Sequence, residues 1–197
     1  QLSGSKASNC SNCNSFVVPR MYSVPLNRGE VDRDLIDLIM LCKEFDVSDT
    51  ESVKRIYRSS YINLYRTSRY TTATLSVLAL HIHMNNNNMV SPLGKYCKFM
   101  GVRPKTVKTL LGRLAPTEIY RPAEWKPLLE NLGYTKEERN KIESLVELVE
   151  EKIDINMNIL SACVYRATNL SLRKVARAFY ISRQTVLKYS EKLEEIL

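Results

Sequence analysis

The chain has 197 residues, 29 Lys and Arg against 21 Asp and Glu, a formal net charge of +8 and 44% hydrophobic content, enough apolar material for packed cores. No apolar run approaches the roughly 18 residues of a membrane span, and five cysteines, an odd number scattered along the chain, argue against a secreted disulfide scaffold and for a reducing compartment. The chain therefore reads as soluble and intracellular, cytoplasmic or nuclear, with a surplus of positive charge that points to a polyanionic partner.

Taken in order, the first feature is "NCSNCNSFVV", which places Cys10 and Cys13 in a CxxC spacing followed by a short apolar strand. Tetrahedral zinc normally takes four such ligands, so this is half a site, filled only if a second pair lies upstream. After a brief connection, Ser15 to Gly29, apolar residues recur at helical spacing. The pattern predicts helices over Val31–Phe45, Thr50–Ser60, Thr72–Met84, Ser91–Met100 and Pro104–Leu114. Pro116, Pro122 and Pro127 then interrupt the pattern and mark a linker. Five more helices follow over Ala123–Leu132, Thr135–Ile153, Asn156–Thr168, Ser171–Phe179 and Ser182–Ile196. No segment alternates with period two for long enough to suggest a sheet, and the fold class is all-α. "MNNNNM" lies between helices and reads as a polar loop.

Charge is unevenly spread along these elements. Six basic residues and no acid lie between Asn88 and Thr117, and six more with no acid lie between Ile155 and Ser190, whereas from Pro116 to Asp154 acids outnumber bases ten to six. Two basic islands around an acidic one suggest a duplication. "LGKYCKFMGVRPKTVKTLL" aligns without a gap on "LRKVARAFYISRQTVLKYS", 79 residues later, matching Leu93 with Leu172, Lys95 with Lys174, Cys97 with Ala176 and Thr106-Val107 with Thr185-Val186. Upstream of each stands an apolar run, "TATLSVLALHIHM" and "INMNILSACVYRA". The organisation is thus an N-terminal segment (1–29), a first five-helix repeat (30–115) and a second (116–197).

Each repeat ends in a helix-turn-helix pattern. In the second, Ser171 can cap a helix whose apolar face is Leu172, Val175, Ala176 and Phe179; Tyr180 and Ile181 turn the chain; Ser182 can cap a helix packed through Val186, Tyr189 and Leu193. Arg183, Gln184, Leu187 and Lys188 are left on the opposite face, where Arg pairs bidentately with guanine and Gln with adenine in a major groove; Arg173 adds charge from the preceding helix. In the first repeat Gly101 occupies the turn, and the outward face is Arg103, Lys105 and Lys108, suited to phosphates. Cys42, Cys97 and Cys163 fall on apolar helical faces and are expected in the core.

Two tandem five-helix repeats, each closed by a helix-turn-helix, together with "SRYTTATLSVLALHIHM", resemble the cyclin-like core of transcription initiation factor IIB and its archaeal counterpart, transcription factor B, over Glu30 to Leu197. The resemblance implies a monomer that docks on promoter DNA and TATA-binding protein, sets the second helix-turn-helix in the major groove and recruits RNA polymerase. It also makes Cys10 and Cys13 similar to the second half of that family's zinc ribbon. One departure concerns Leu187, one residue after Thr-Val, where the family pattern usually has Arg; base reading here is therefore assigned to Arg183 and Gln184. The rival reading is a cyclin-type module whose five-helix boxes bind a kinase and no DNA.

Catalysis finds no footing in the sequence. No Gly-rich phosphate loop or nucleophile elbow occurs, and His81 and His83 point about 200° apart on a helix, as core histidines rather than joint metal ligands.

Overall fold

A computed structural model describes residues 8–9, 16–17, 35–64, 70–115 and 117–197. The chain divides into two compact units, Gln1–Arg33 and Asp34–Leu197. In the first, β1 (Ser8–Asn9) pairs antiparallel with β2 (Phe16–Val17), Ser8 opposite Val17 and Asn9 opposite Phe16. Cys10 and Cys13 fall between these strands in sequence and lie outside the described residues.

The second unit is all-helical among the described residues, with ten helices. The first five are α1 (Ile36–Glu44), α2 (Thr50–Leu64), α3 (Thr72–Asn86), α4 (Leu93–Phe99) and α5 (Pro104–Leu114). The second five are α6 (Trp125–Asn131), α7 (Lys136–Glu150), α8 (Met157–Ala167), α9 (Leu172–Ala178) and α10 (Arg183–Ile196). No helix among the described residues is long and apolar enough to cross a membrane.

The third helix of each set organises it. The two apolar runs of the sequence become α3, buried continuously from Thr74 to Leu80 and again at Ile82 and His83, and α8, buried from Ile159 to Val164. A helix apolar on all sides is stable only where neighbours surround it; α1, α2, α4 and α5 pack against α3, and α7, α9 and α10 pack against α8. Two hydrophobic cores result, one drawn from Leu35 to Leu114 and one from Leu128 to Leu193 with Val90 added. Cys42, Cys97 and Cys163 are buried in them as free thiols, and burial raises the thiol pKa of Cys42 to about 11 and of Cys163 to about 12.

The predicted start of the first helix, residues 31–34, lies outside the described residues, and of the boundaries that differ from the sequence pattern three have identifiable reasons. α2 runs on to Leu64 rather than ending at Ser60, because Leu64 is fully buried in the first core and carries the last turn inward. α7 stops at Glu150 rather than Ile153, where consecutive Glu150 and Glu151 oppose the negative end of the helix dipole. α3 continues through Asn86, so "MNNNNM" is not simply a loop: its first two asparagines are helical, and its side chains have partners distant in sequence.

Candidate nucleic-acid interface

The two terminal hairpins share one backbone plan. α4 begins at Leu93 and α9 at Leu172; α5 begins at Pro104 and α10 at Arg183, each pair 79 residues apart. Close approach of the paired helices is permitted by Cys97 and Ala176, both buried at equivalent places. The turns match as well, Gly101 at φ +64° and Tyr180 at φ +52°. A left-handed residue ends the first helix sharply enough to start the second. Gly adopts it freely and Tyr does not, since a Cβ crowds the following carbonyl.

The hairpins differ in how their helices start. Ser171 accepts a hydrogen bond from the Lys174 N–H, and Ser182 accepts one from the Thr185 N–H at 3.0 Å, so both α9 and α10 are capped by side chains as their sequence suggests. In the first hairpin the equivalent positions are Pro92 and Arg103, neither of which makes a side-chain cap, and α5 relies on Pro104 in its first turn.

The residues singled out from the sequence are spread over both hairpins. Ser182 is the N-cap of α10, its hydroxyl occupied by Thr185. Arg183, Gln184, Leu187 and Lys188 follow on the first two turns and are all exposed, Leu187 at 40%, while Val186 and Leu193 on the other side are buried. Arg103, Lys105 and Lys108 are exposed at the start of α5. Arg173 is exposed on α9 and shares a surface with Arg183, a proximity that their separation of ten residues does not reveal.

That shared surface is a crevice of about 600 Å³ lined by Lys95, Arg173, Ala176, Arg177, Tyr180 and Arg183 beside Ile181. Lys95 comes from α4, in the other helix set, and its Nζ lies over the Tyr180 ring, 4.6 Å from the centroid. An ammonium at that distance is attracted by the ring's negative face. No carboxylate lines the crevice, and none of its four cations forms an ion pair among the described residues. Arg166, part of the same basic island of the sequence, behaves differently. It donates to Glu194 at 2.6 Å, an acid 28 residues away.

The asparagine run forms the polar seam between the sets. Asn86 donates from Nδ2 to the Ile119 carbonyl at 2.9 Å, and its Oδ1 accepts from the Arg121 N–H at 2.8 Å. Asn88 accepts from the Glu124 N–H at 2.8 Å, and Asn131 donates to the Asn87 and Asn88 carbonyls at 3.1 and 3.0 Å. Backbone groups of the linker are thereby satisfied by amides from the first set, which bear both a donor and an acceptor. Asn85 turns back instead, meeting His81 Nε2 at 3.2 Å while His81 Nδ1 meets Ser91 Oγ at 2.7 Å. With the Asn85 amide donating to Nε2, the ring proton sits on Nδ1 and His81 is neutral. Burial, helped by Lys108, lowers its pKa to about 4.

Among the described residues no group of three or more His, Cys, Asp or Glu is placed to hold a metal ion. Compared with protein-family models and with curated proteins, the chain matches none of them.

Proposed function

We propose that the chain is a DNA-binding transcription initiation factor of the IIB type, or a regulatory paralogue of one, acting as a monomer on promoter DNA with TATA-binding protein and helping to recruit RNA polymerase. The observation that carries this reading is the start of α10: a side-chain-capped helix that presents Arg183, Gln184 and Lys188 together, in a hairpin whose plan recurs 79 residues earlier. In helix-turn-helix docking the N-terminal residues of the second helix reach base edges first. Arg183 and Gln184 then read bases, Lys188 and Arg173 hold phosphates, and Arg103, Lys105 and Lys108 add sequence-independent contacts from the first hairpin. Cys10 and Cys13 supply two of the four ligands that a structural zinc site takes, so zinc is held there only if a second ligand pair lies upstream.

The test is electrophoretic retardation of promoter duplexes bearing single-base changes, at fixed salt, with and without TATA-binding protein. Arg183→Ala should weaken binding and relax preference at one base pair, by about 1–3 kcal/mol of discrimination, whereas Lys188→Ala should weaken all duplexes alike. Identical preference profiles for the wild type and Arg183→Ala would remove the base-reading role.

One observation favours the rival, a cyclin-type module that binds a kinase: Leu187 is apolar and 40% exposed in the middle of the proposed reading face. In that case Leu187→Asp abolishes a protein contact while both charge substitutions leave DNA affinity unchanged.

A further inference from the structure

Lys95, Arg177 and Tyr180, which line the crevice between α4 and the second hairpin, have no part in reading the major groove. The crevice nonetheless combines one cation from the first helix set, Lys95, with three arginines of the second hairpin and a non-glycine residue held in a left-handed turn. We propose that this crevice is a phosphodiester site, in which Lys95 from one set and Arg173 and Arg177 from the other close on one or two adjacent phosphates of the DNA strand beside α10, with Arg183 at its edge left to the base it reads. The inference rests on the DNA-binding reading and deepens it by assigning a contact that both helix sets make together.

Four cations gathered around about 600 Å³ with no lining carboxylate repel one another until an anion enters. Phosphate matches the set chemically. Guanidinium groups offer paired N–H donors to two oxygens of one phosphate, and an ammonium acts as a point charge beside them. Arg183, one of the lining residues, is the first residue of α10, so in helix-turn-helix docking the crevice would lie beside the strand that flanks the recognition helix.

Tyr180 supplies the second line of argument. Its counterpart Gly101 meets the demand of the same turn without strain, so the backbone alone gives no reason for Tyr. The side chain is half exposed, and it carries the Lys95 ammonium on its ring at the crevice wall. Its role is to orient a cation from one helix set toward the arginines of the other. Gly101 has no side chain with which to do the same.

The inference is tested by phosphate-ethylation interference and by the salt dependence of binding, using the full chain, a promoter duplex and TATA-binding protein. All substituted residues are exposed, and thermal unfolding verifies that the variants fold. Lys95→Gln and Arg177→Gln should each abolish interference at the same one or two phosphates, lower the slope of log affinity against log salt by about 0.9 for each phosphate no longer neutralised, and leave base preference unaltered. Tyr180→Gly, which keeps the turn, should weaken binding several-fold and abolish interference at the same phosphates. Lys95→Gln with a wild-type slope and interference pattern, while Arg183→Ala still changes base preference, would overturn the crevice site and leave the DNA-binding reading intact. A wild-type chain that binds no duplex under any of these conditions, or binds an acidic peptide instead, would overturn both.

Discussion

The two terminal hairpins are one backbone drawn twice and finished differently. Their helices start at equivalent positions, their turns share a left-handed residue, and Leu114 and Leu193 are buried 79 residues apart. The first is minimal: a glycine turn, no side-chain caps, and an eleven-residue α5 that presents basic residues. The second has serine caps at both helices, a tyrosine in the strained turn and a longer α10, whose Glu194 neutralises Arg166. Buried apolar positions dictate the shared path, while the features that fix charged side chains in space accumulate on the second copy. On the proposed function this division is expected, since attracting a polyanion needs only charge and reading it needs fixed positions.

The comparison breaks most visibly in the cores. Leu114→Ala and Leu193→Ala each remove a buried side chain from an equivalent place and should each destabilise the chain by about 2–5 kcal/mol. Urea unfolding of the two variants measures both, and a large inequality would mean that the hairpins match in path but not in packing.

Acid should separate the two sets next. Both histidines of the chain, His81 and His83, lie in α3, and none lies in the second core. His81 titrates at about 4 when folded because it is buried, with Lys108 adding to the shift, and burial lowers His83 in the same direction against the pull of Asp49. A histidine whose folded pKa lies below the unfolded value near 6.5 leaves stability intact above that pH. As the pH falls toward 4 the unfolded chain takes the proton first, and stability drops. For His81 the loss approaches about 3 kcal/mol. Amide hydrogen exchange at pH 7 and pH 4.5 should show α3 losing protection before α8, and His81→Gln should narrow the gap. Equal loss in both helices would contradict this.

The smallest effects belong to the turns. Gly101→Ala has open space around the added methyl group, so its cost is the left-handed backbone alone, about 1–2 kcal/mol. Tyr180→Gly should change stability in the opposite direction by less, since removing the ring beneath the Lys95 ammonium, at about 0.5–1 kcal/mol, offsets part of the relief. Thermal unfolding of the pair decides whether the turns are equivalent. Destabilisation by both would show that Tyr180 contributes packing that Gly101 never had.

Much of this arrangement was legible because it rests on local periodicity. The ungapped alignment at an offset of 79 residues placed the hairpin helices to within a residue or two, and the serine caps followed from Ser171 and Ser182 standing just before apolar helical spacing. What the sequence hid depends on contacts between distant positions. Arg166 looked like part of an acid-free surface because Glu194 lies beyond the window in which acids are absent. Lys95 gave no sign that it faces Tyr180, 85 residues away. The left-handed turn at Tyr180 was foreshadowed by alignment with Gly101, but side-chain preference argued against it. The asparagine run read as a loop because Asn competes with helical hydrogen bonds when solvated, and the partners that make it otherwise, in the linker, in α6 and at His81, are not visible in the local sequence.

That seam has a practical consequence. Its bonds are between carboxamides and peptide groups, so they carry no formal charge at any pH and are screened little by added ions. A salt titration therefore leaves the joint between the sets in place while it loosens whatever the lysines and arginines hold. On the proposed DNA-binding reading, the salt dependence of dissociation then reports on the phosphate contacts rather than on the joint between the sets.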